Sequence, residues 1–273
     1  MEVVHSEYVP DPDRTHEEMA ELQRDLVADA VFADDVDFAP ADVALDDPPE
    51  DRTPEAGQQT LSAGPAEAYD PEGPPVVVGI DQAFVDDEEA VSAAVAIQDG
   101  AVVERAVGRR PLEIPYIPGL LAFREGGAIV DALQNLSVPG DLLVLDGSGR
   151  IHFRQAGIAT HVGVVFDTPA IGVAKSLLCG EPRESLDQYF EAGERVAIEA
   201  DDEVEAPTGD VIGYAFQSRQ YPNPEKRHVN PLIVSPGHRV DEETAVDFVE
   251  ALCAGYKLPE PTRLADRDVG RLK

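Results

Sequence analysis

Blocks of apolar residues separated by polar turns divide much of the chain into recognisable elements. Three apolar runs follow one another from residue 76, VVVGIDQAF, AVSAAVAI and AVVERAV, and the last two are joined by Asp99-Gly100. Asp-Gly between two such runs is a strong hairpin signal. Five more runs predict further strands: LLVLD, AIGVA, RVAIE, DVIGYAF and PLIVS. Continuous aliphatic runs of this length are typical of strands that are covered on both faces.

Apolar residues at helical spacing predict four helices between and around these strands. The first begins after Thr15, whose hydroxyl and Glu18 match a capping box. The others cover about residues 120–136 and 155–166 and the segment DEETAVDFVEALC. Three antiparallel strands followed by alternating helices and strands predict an α/β fold, a ribonuclease-H-like mixed sheet flanked by helices.

One helix position carries a charge where an apolar residue is expected. Leu121, Glu125, Ile129 and Leu133 recur every four residues, so Glu125 lies within an apolar stripe. Burying an unpaired carboxylate is costly. Glu125 therefore pairs with a core arginine, leans outward at the start of the helix, or binds a cation.

Two aspartates end apolar strands. Asp81 follows VVVGI and Asp146 follows LLVL, which predicts that both lie at the carboxyl ends of their strands, where open α/β sheets build their sites. A single aspartate there is often a turn residue. Together with Glu125, they predict a site for a hard divalent cation such as Mg²⁺.

Composition suggests four segments along the chain. We expect residues 1–37 to place one helix on the core after a frayed start at 1–14. Residues 38–74 are acidic, rich in proline and without periodicity, which predicts a mobile insertion. The core then spans 75–256, and 257–273 is expected to form a tail laid over the surface.

Charge predicts a habitat rather than an activity. The chain has 21 Lys and Arg against 54 Asp and Glu, a net charge of −33, and only four of the basic residues are lysines. Such a surface suits concentrated salt, in which self-repulsion is screened. The acidity does not exclude a nucleic-acid partner, because the phosphate–counterion contribution to binding is weak in molar salt for any protein.

Location is predicted from what the sequence lacks. No apolar run reaches bilayer length and the N-terminus is acidic, so neither a membrane span nor a signal peptide is expected. Cys179 and Cys253 fit neither a metal motif nor a disulfide framework. We therefore expect a cytoplasmic protein with no membrane partner.

Several stretches in residues 75–180 and 231–267 resemble the endonuclease V family, whose members nick nucleic acid beside deaminated adenine. They are GIDQAF, PYIPGLLAFRE, LDGSGRIHFRQAGIATHVGV, PAIGVAKSLLCG, SPGHRVDEETA and LPEPTRLADR, in matching order and spacing. The DG.G motif carries Ser148 where the family usually has His or Asn.

The resemblance implies roles for individual positions. The catalytic residues it implies, of which the first three would bind the metal, are Asp81, Glu125, Asp146, Lys175 and His238. In that assignment Lys175 lies near the scissile phosphate and His238 beside the metal. The substrate-binding residues it implies are Tyr116, Gly119, Leu121, Gly147 and His152. Tyr116 matches a wedge that fills the gap left by a flipped-out base, while His161 matches a family histidine without a clear role.

Without the resemblance, three of these residues have ordinary structural explanations. Lys175 would be a solvated lysine, His238 a structural histidine and Tyr116 a tyrosine buried under the helix. The resemblance implies an Mg²⁺-dependent endonuclease, for which Mn²⁺ can substitute. It would act in DNA repair on inosine-containing DNA, as a monomer, nicking the second phosphodiester 3′ to hypoxanthine and leaving a 5′-phosphate and a 3′-hydroxyl. An inosine-specific ribonuclease, a structure-selective nuclease and a non-catalytic binding protein remain alternatives.

Overall fold

The computed structural model describes residues 1–51, 68–223 and 228–273. Among these residues, ten strands form a single sheet in the order β1-β4-β3-β2-β5-β6-β10-β9-β8-β7. The strands are β1 (Glu50–Asp51), β2 (Val77–Val85), β3 (Glu89–Gln98), β4 (Ala101–Pro111), β5 (Leu142–Asp146), β6 (Ala170–Ala174), β7 (Glu181–Pro182), β8 (Arg195–Glu199), β9 (Val211–Phe216) and β10 (Leu232–His238). All eight strands predicted from apolar runs are confirmed.

The directions of the strands bring the ends of several of them to one edge of the sheet. β2, β3 and β4 are antiparallel neighbours, whereas β2, β5 and β6 are parallel. β10 is antiparallel to β6 and to β9. The carboxyl ends of β2, β5, β6 and β9 and the amino end of β10 therefore share what we call the upper edge. The order β4-β3-β2-β5-β6, with three antiparallel strands first, confirms the predicted ribonuclease-H-like sheet.

The described residues also form five α-helices. They are α1 (His16–Asp29), α2 (Leu121–Gln134), α3 (Ile158–Phe166), α4 (Glu242–Ala251) and α5 (Glu260–Leu272). α2 and α3 share one apolar cluster with Val78 and Ile80 of β2, whereas α4 packs on Val77 and Val144. Side chains alternate across a strand, so α4 lies on the opposite face from α2 and α3, as predicted.

The first residues are packed, which corrects the expected frayed start. Thr15 and Glu18 form the predicted capping box of α1, and Met19 and Leu26 are buried beneath it. Before the helix, the Val4 amide donates to the Val165 carbonyl at the end of α3, at 2.9 Å. Local apolarity is low in this segment, so its order comes from long-range contacts that composition does not encode.

The acidic segment is also partly anchored. Within residues 38–51, Val43 and Leu45 are buried against the cluster around α4. Farther on, Gln98 of β3 accepts from the Asp70 amide and donates to the Asp70 and Pro74 carbonyls. The predicted mobile insertion is therefore wrong at both of its ends, and residues 52–67 lie outside the described residues.

The expected surface tail is the helix α5. Its residues Leu264, Ala265 and Val269 are buried against β2 and β3. Pro259 caps its start and Pro261 lies in its first turn, where a proline lacks only an amide hydrogen that would stay unbonded.

A glycine lets α5 approach the sheet closely. A Cβ placed on Gly79 of β2 would lie 2.1 Å from the carbonyl carbon of Pro261. Any side chain at this position would therefore push α5 away. In the described parts of the chain, no helix combines the length and apolar character needed to cross a bilayer.

Candidate active site

Three aspartates meet at the upper edge. One carboxylate oxygen from each of Asp81, Asp146 and Asp266 lies within 4.8 Å of the other two. Asp81 is on β2, Asp146 ends β5, and Asp266 comes from α5. The register explains the meeting, because β2 and β5 are parallel neighbours and Asp81 and Asp146 point to the face that α5 covers.

The surroundings of Asp81 disfavour the ionised form of its side chain. Its side chain is buried, and burial followed by the neighbouring charge of Asp146 raises the pKa of Asp81 to about 8. One of its oxygens accepts a hydrogen bond from the Gln82 amide at 2.8 Å. A buried carboxylate beside a second one is stable as an anion only when a cation is close.

Glu125 lies on α2, across the sheet from α5, and is only 2% exposed. Burial raises the pKa of Glu125 to about 8, and the charges of Asp81 and Asp146 add to the increase. Its oxygens are not part of the 4.8 Å cluster. Among the described residues it forms no ion pair with an arginine, and it does not lean outward, so its two structural alternatives are not found.

This donor set fits a hard divalent cation. Mg²⁺ is bound by carboxylate oxygens and water, and it favours sites that supply few protein ligands. Three carboxylate oxygens, one each from Asp81, Asp146 and Asp266, lie within reach of one ion. The pKa of Glu125 is raised by the charges of Asp81 and Asp146, so Glu125 lies close to the same site. The acidic cluster can therefore hold a metal ion.

Lys175 follows β6 at the same edge. Its Nζ donates to Asp146 Oδ2 at 2.7 Å and lies 3.7 Å from Asp266 Oδ1. Burial lowers the pKa of Lys175, but the hydrogen bond to Asp146 and the surrounding carboxylates outweigh it and raise that pKa overall. The Lys175 side chain is 52% exposed, as expected for a solvated lysine, but its charge is bonded to the acid cluster.

A rigid loop lies before α2. The carbonyl of Gly119 accepts from Gln23 Nε2 at 2.9 Å and pairs with His152 Nε2 at 3.1 Å. His152 Nδ1 accepts from the amides of Arg154 and Ala156, which places its ring proton on Nε2. Burial lowers the pKa of His152 to about 4, so the ring is neutral and donates to Gly119.

Two glycines shape this region. Gly119 has a φ of +79°, and a Cβ there would lie 3.1 Å from the Phe153 ring. Gly147, directly after Asp146, has a φ of +150°, and a Cβ on it would lie 2.4 Å from Ile158. Leu121 is partly buried beside them. Glycine at these two positions therefore lets the main chain pack closely against Phe153 and Ile158.

Tyr116 projects from the same loop with 61% of its surface exposed. The alternative of a tyrosine buried under the helix is therefore wrong. Pro115 and Pro118 restrict the backbone on either side of it. An aromatic ring held by a stiff loop beside Gly119 is available for contact with a partner.

His238 does not lie beside the acids, which corrects our expectation. It pairs with Ala170 at the start of β6, whereas Asp146 pairs with Val173 near its end. Three residues of strand separate those levels, about 10 Å. There, His238 Nδ1 accepts from the Val31 amide and Nε2 contacts Asp167. Its contacts are those of a structural histidine that anchors the segment after α1.

His161 is also remote in its contacts. It is fully buried on α3, its Nε2 lies 2.6 Å from the Tyr8 carbonyl, and its ring packs edge-on against Phe123. Burial lowers the pKa of His161 to about 4. These contacts fix the N-terminal residues to the core.

Two residues that our sequence interpretation did not select belong to this site. Asp266 lies in LPEPTRLADR, where Leu264, Ala265 and Val269 follow helical spacing and were a signal that we did not use. Gln23 lies on the apolar side of α1 and is fully buried. A glutamine among apolar helix positions was the available signal for it.

The chain matches a known protein family over most of its length. A sequence model of the family described as Endonuclease V matches residues 62–267. The chain belongs to the endonuclease V family. It is 61% identical to the Endonuclease V of Halobacterium salinarum over 267 residues, which cover 98% of each chain. With relatives of this similarity, the protein is an endonuclease.

Solved structures of the family share the fold. The endonuclease V of Streptomyces avermitilis has a TM-score of 0.68 and 30% identity, covering 94% of this chain and 92% of its own. The Ciona intestinalis endonuclease V, solved with a 24mer DNA containing an inosine followed by a ribo-adenosine, has a TM-score of 0.67 and 23% identity. That pair covers 94% of this chain and 96% of the Ciona chain. The second likeness concerns the fold alone.

Proposed function

We propose that this protein is an Mg²⁺-dependent endonuclease for DNA repair. It nicks DNA at the second phosphodiester 3′ to a flipped-out hypoxanthine and leaves a 5′-phosphate and a 3′-hydroxyl. The observation that carries the proposal is the cluster of Asp81, Asp146 and Asp266, with Lys175 bonded to it, beside the rigid Gly119 loop. Membership of the endonuclease V family, one of whose members was solved with a DNA that contains inosine, supports the choice of substrate.

Asp81, Asp146 and Asp266 would hold the cation, with Glu125 as a further ligand. A bound Mg²⁺ supplies Lewis acidity and lowers the pKa of coordinated water. The residues themselves explain why a cation is needed, since burial keeps the pKa of both Asp81 and Glu125 near 8 in its absence. Lys175 Nζ, free to exchange Asp146 for a phosphate oxygen, would balance charge that develops on the phosphate.

The Gly119 loop supports discrimination between hypoxanthine and adenine. Hypoxanthine carries an oxygen at the six position, which accepts hydrogen bonds, whereas the amino group of adenine donates them. Both lone pairs of the Gly119 carbonyl are already used by Gln23 and His152, so this carbonyl offers no acceptor to an amino group. Exposed Tyr116 would fill the gap left in the strand by the extruded base.

Cleavage of matched oligonucleotides tests the proposal. In Mg²⁺ and molar KCl, a DNA strand with one deoxyinosine should be nicked at a single site, and the adenine control should stay intact. EDTA should stop the reaction. Equal cutting of both strands would reject the specificity, and faster cutting of a matched inosine-containing RNA would favour the ribonuclease alternative.

A single substitution separates catalysis from binding. Asp146→Asn keeps the shape of the side chain but removes a ligand charge, so nicking should fall by at least about a hundredfold. Binding to the inosine strand, measured by fluorescence anisotropy, should stay within about threefold of the unmodified protein. Unchanged nicking would mean that the cation is held elsewhere.

A further inference from the structure

A groove continues along the upper edge beyond Lys175. It has a volume of about 850 Å³ and runs from the end of β6 across the start of β10 to the residues that follow β9. A second hollow of about 440 Å³ adjoins it and shares His228, Val229 and Asn230 as lining residues. Together they form one surface, which we call the β6–β9 groove, that leads directly away from the acid cluster.

The β6–β9 groove reverses the charge balance of the protein. Among the described residues, its lining includes Lys175, Arg219, Lys257 and His228 but only one acid, Asp187. The whole chain has more than two acids for each lysine or arginine. A local surplus of cations on such a chain marks a surface for an anionic partner.

Two of these cations have no carboxylate partner among the described residues. Among the described arginines, all except Arg124 and Arg219 have a carboxylate oxygen within 4.0 Å. Lys257 likewise has no carboxylate partner among the described residues, while burial and then the charge of Lys175 lower its pKa. Arg219 donates to the Gly255 carbonyl and stacks on Tyr221, so its guanidinium is held in place without a carboxylate that neutralises it. Arg219 and Lys257 are therefore charges that a bound anion can neutralise.

The groove also offers surfaces for bases. The ring of Tyr189 is 52% exposed, and the partly buried Leu177 and Leu186 pack into the cluster beneath it with Ile233. An exposed aromatic ring beside cations is the usual arrangement for an unpaired nucleic-acid strand, with bases stacked and phosphates neutralised.

We propose that the β6–β9 groove binds the unpaired substrate strand on the 3′ side of the nick, with phosphates at Arg219 and Lys257 and a base on Tyr189. This inference rests on the proposed function for its polarity. The groove begins at Lys175, which is bonded to Asp146, and its described lining includes no residue of the Gly119 loop. A strand whose altered base lies at Gly119 and whose cut phosphate lies at the acids therefore continues past Lys175 into the groove.

Strand length tests the proposal. Two inosine strands with the same 5′ part would carry two or eight nucleotides beyond the nick. For the unmodified protein, KM should be about tenfold lower on the longer strand at equal kcat. Tyr189→Ala and Lys257→Ala should each raise KM severalfold on the long strand and leave the short strand unaffected. Equal KM values for both lengths, or equal losses on both, would overturn the proposal.

Matched variants exclude general effects of substitution. Tyr189→Phe keeps the stacking face and should retain the low KM, and Lys273→Ala removes an exposed lysine at the end of α5, away from the groove. In about 2 M KCl the Lys257→Ala effect should shrink, because screening shortens electrostatic reach below about 3 Å, whereas the Tyr189→Ala effect persists. If the increase in KM were independent of KCl concentration in both variants, the assigned contacts would be contradicted.

A binding measurement separates this inference from the proposed function. An inosine-free, 5′-phosphorylated DNA 8-mer, followed by fluorescence anisotropy in EDTA, should bind the unmodified protein and bind Tyr189→Ala and Lys257→Ala more weakly. This result would support the groove even if nicking proved indifferent to inosine. Equal binding by all three proteins would reject the groove while leaving inosine cleavage intact.

Discussion

Asp266 shows how one residue completes the site from outside the central strands. It meets Asp81 and Asp146 because α5 lies against the face to which both side chains point. Asp268, two residues later on the same helix, instead pairs with Arg105. The two aspartates therefore offer a matched pair of substitutions.

Asp266→Asn should reduce nicking of the inosine strand by at least about a hundredfold, equivalent to about 2.7 kcal/mol in the transition state, because a cation ligand is lost. Asp268→Asn should lower thermal stability slightly through the lost ion pair and leave kcat within about twofold. Steady-state kinetics and thermal denaturation on both variants decide. Similar kinetics for the two variants would show that Asp266 is not a ligand of the metal ion.

Asp81 should make the metal-free protein pH-sensitive. Its pKa is about 8 in the folded protein and is raised from 3.8, so the neutral form stabilises the fold. That stability is fully present below about pH 4 and is lost as the pH rises towards 8. Asp81→Asn should therefore raise the Tm at pH 8 in EDTA, by about 5 °C, while abolishing nicking.

Magnesium provides the control for that prediction. Added Mg²⁺ should raise the Tm of the unmodified protein at pH 8 and leave the Tm of Asp81→Asn nearly unchanged, since the bound ion stabilises only an intact site. Asp47→Asn, a change at an exposed acid, should alter neither value. A lower Tm for Asp81→Asn in EDTA would show that the carboxyl group stabilises the metal-free fold.

Sequence predicted the strand aspartates better than the other site residues. Asp81 and Asp146 follow aliphatic runs, and such runs place their last residue at a strand end whatever the rest of the fold does. His238 also ends a strand, but β10 is antiparallel to β6, so it lies at the opposite edge. Strand direction follows from sheet topology, which the pattern of one strand does not contain.

At the scale of elements, the close contact between α5 and β2 sets the position of Asp266. The contact depends on Gly79, whose missing Cβ gives room to the Pro261 carbonyl. Gly79→Ala should displace α5, reduce nicking by at least about tenfold and cost about 3 kcal/mol of unfolding free energy.

Gly270→Ala is the matched control. Gly270 lies on α5 itself, and a Cβ placed there meets no atom within 4 Å. It should leave activity unchanged and stabilise α5 slightly through its higher helix propensity. Chemical denaturation and nicking assays on both variants measure the two effects. Full activity of Gly79→Ala would mean that α5 adjusts without moving Asp266.

Elements with a strong local signal were predicted, and those stabilised by distant contacts were not. The capping box of α1 and the Asp241 cap of α4 are both present. α5 was missed because Pro259 and Pro261 are helix breakers inside a helix but favour its first turn. Val43 and Leu45 are apolar residues scattered in an acidic segment, and only the folded core shows where they are buried.

For the whole molecule, a net charge of −33 implies strong self-repulsion at low salt. Raising KCl from about 0.1 to about 2 M should increase the Tm by roughly 10 °C, because screening weakens this repulsion. Thermal denaturation followed by circular dichroism measures the change. Sucrose at equal osmolality stabilises by exclusion alone and should produce a smaller increase. A Tm that does not change with KCl would show that the acidic surface does not destabilise the fold at low salt.

The bond from Gln23 to the Gly119 carbonyl has a consequence for how much of the chain specificity needs. The family match begins at residue 62, well after α1 has ended. A shortened protein that starts there would keep every acid around the cation, yet one donor beneath the lesion pocket would be missing. The choice of base therefore depends in part on a residue outside the segment that the family model matches, and α1 serves specificity as well as packing.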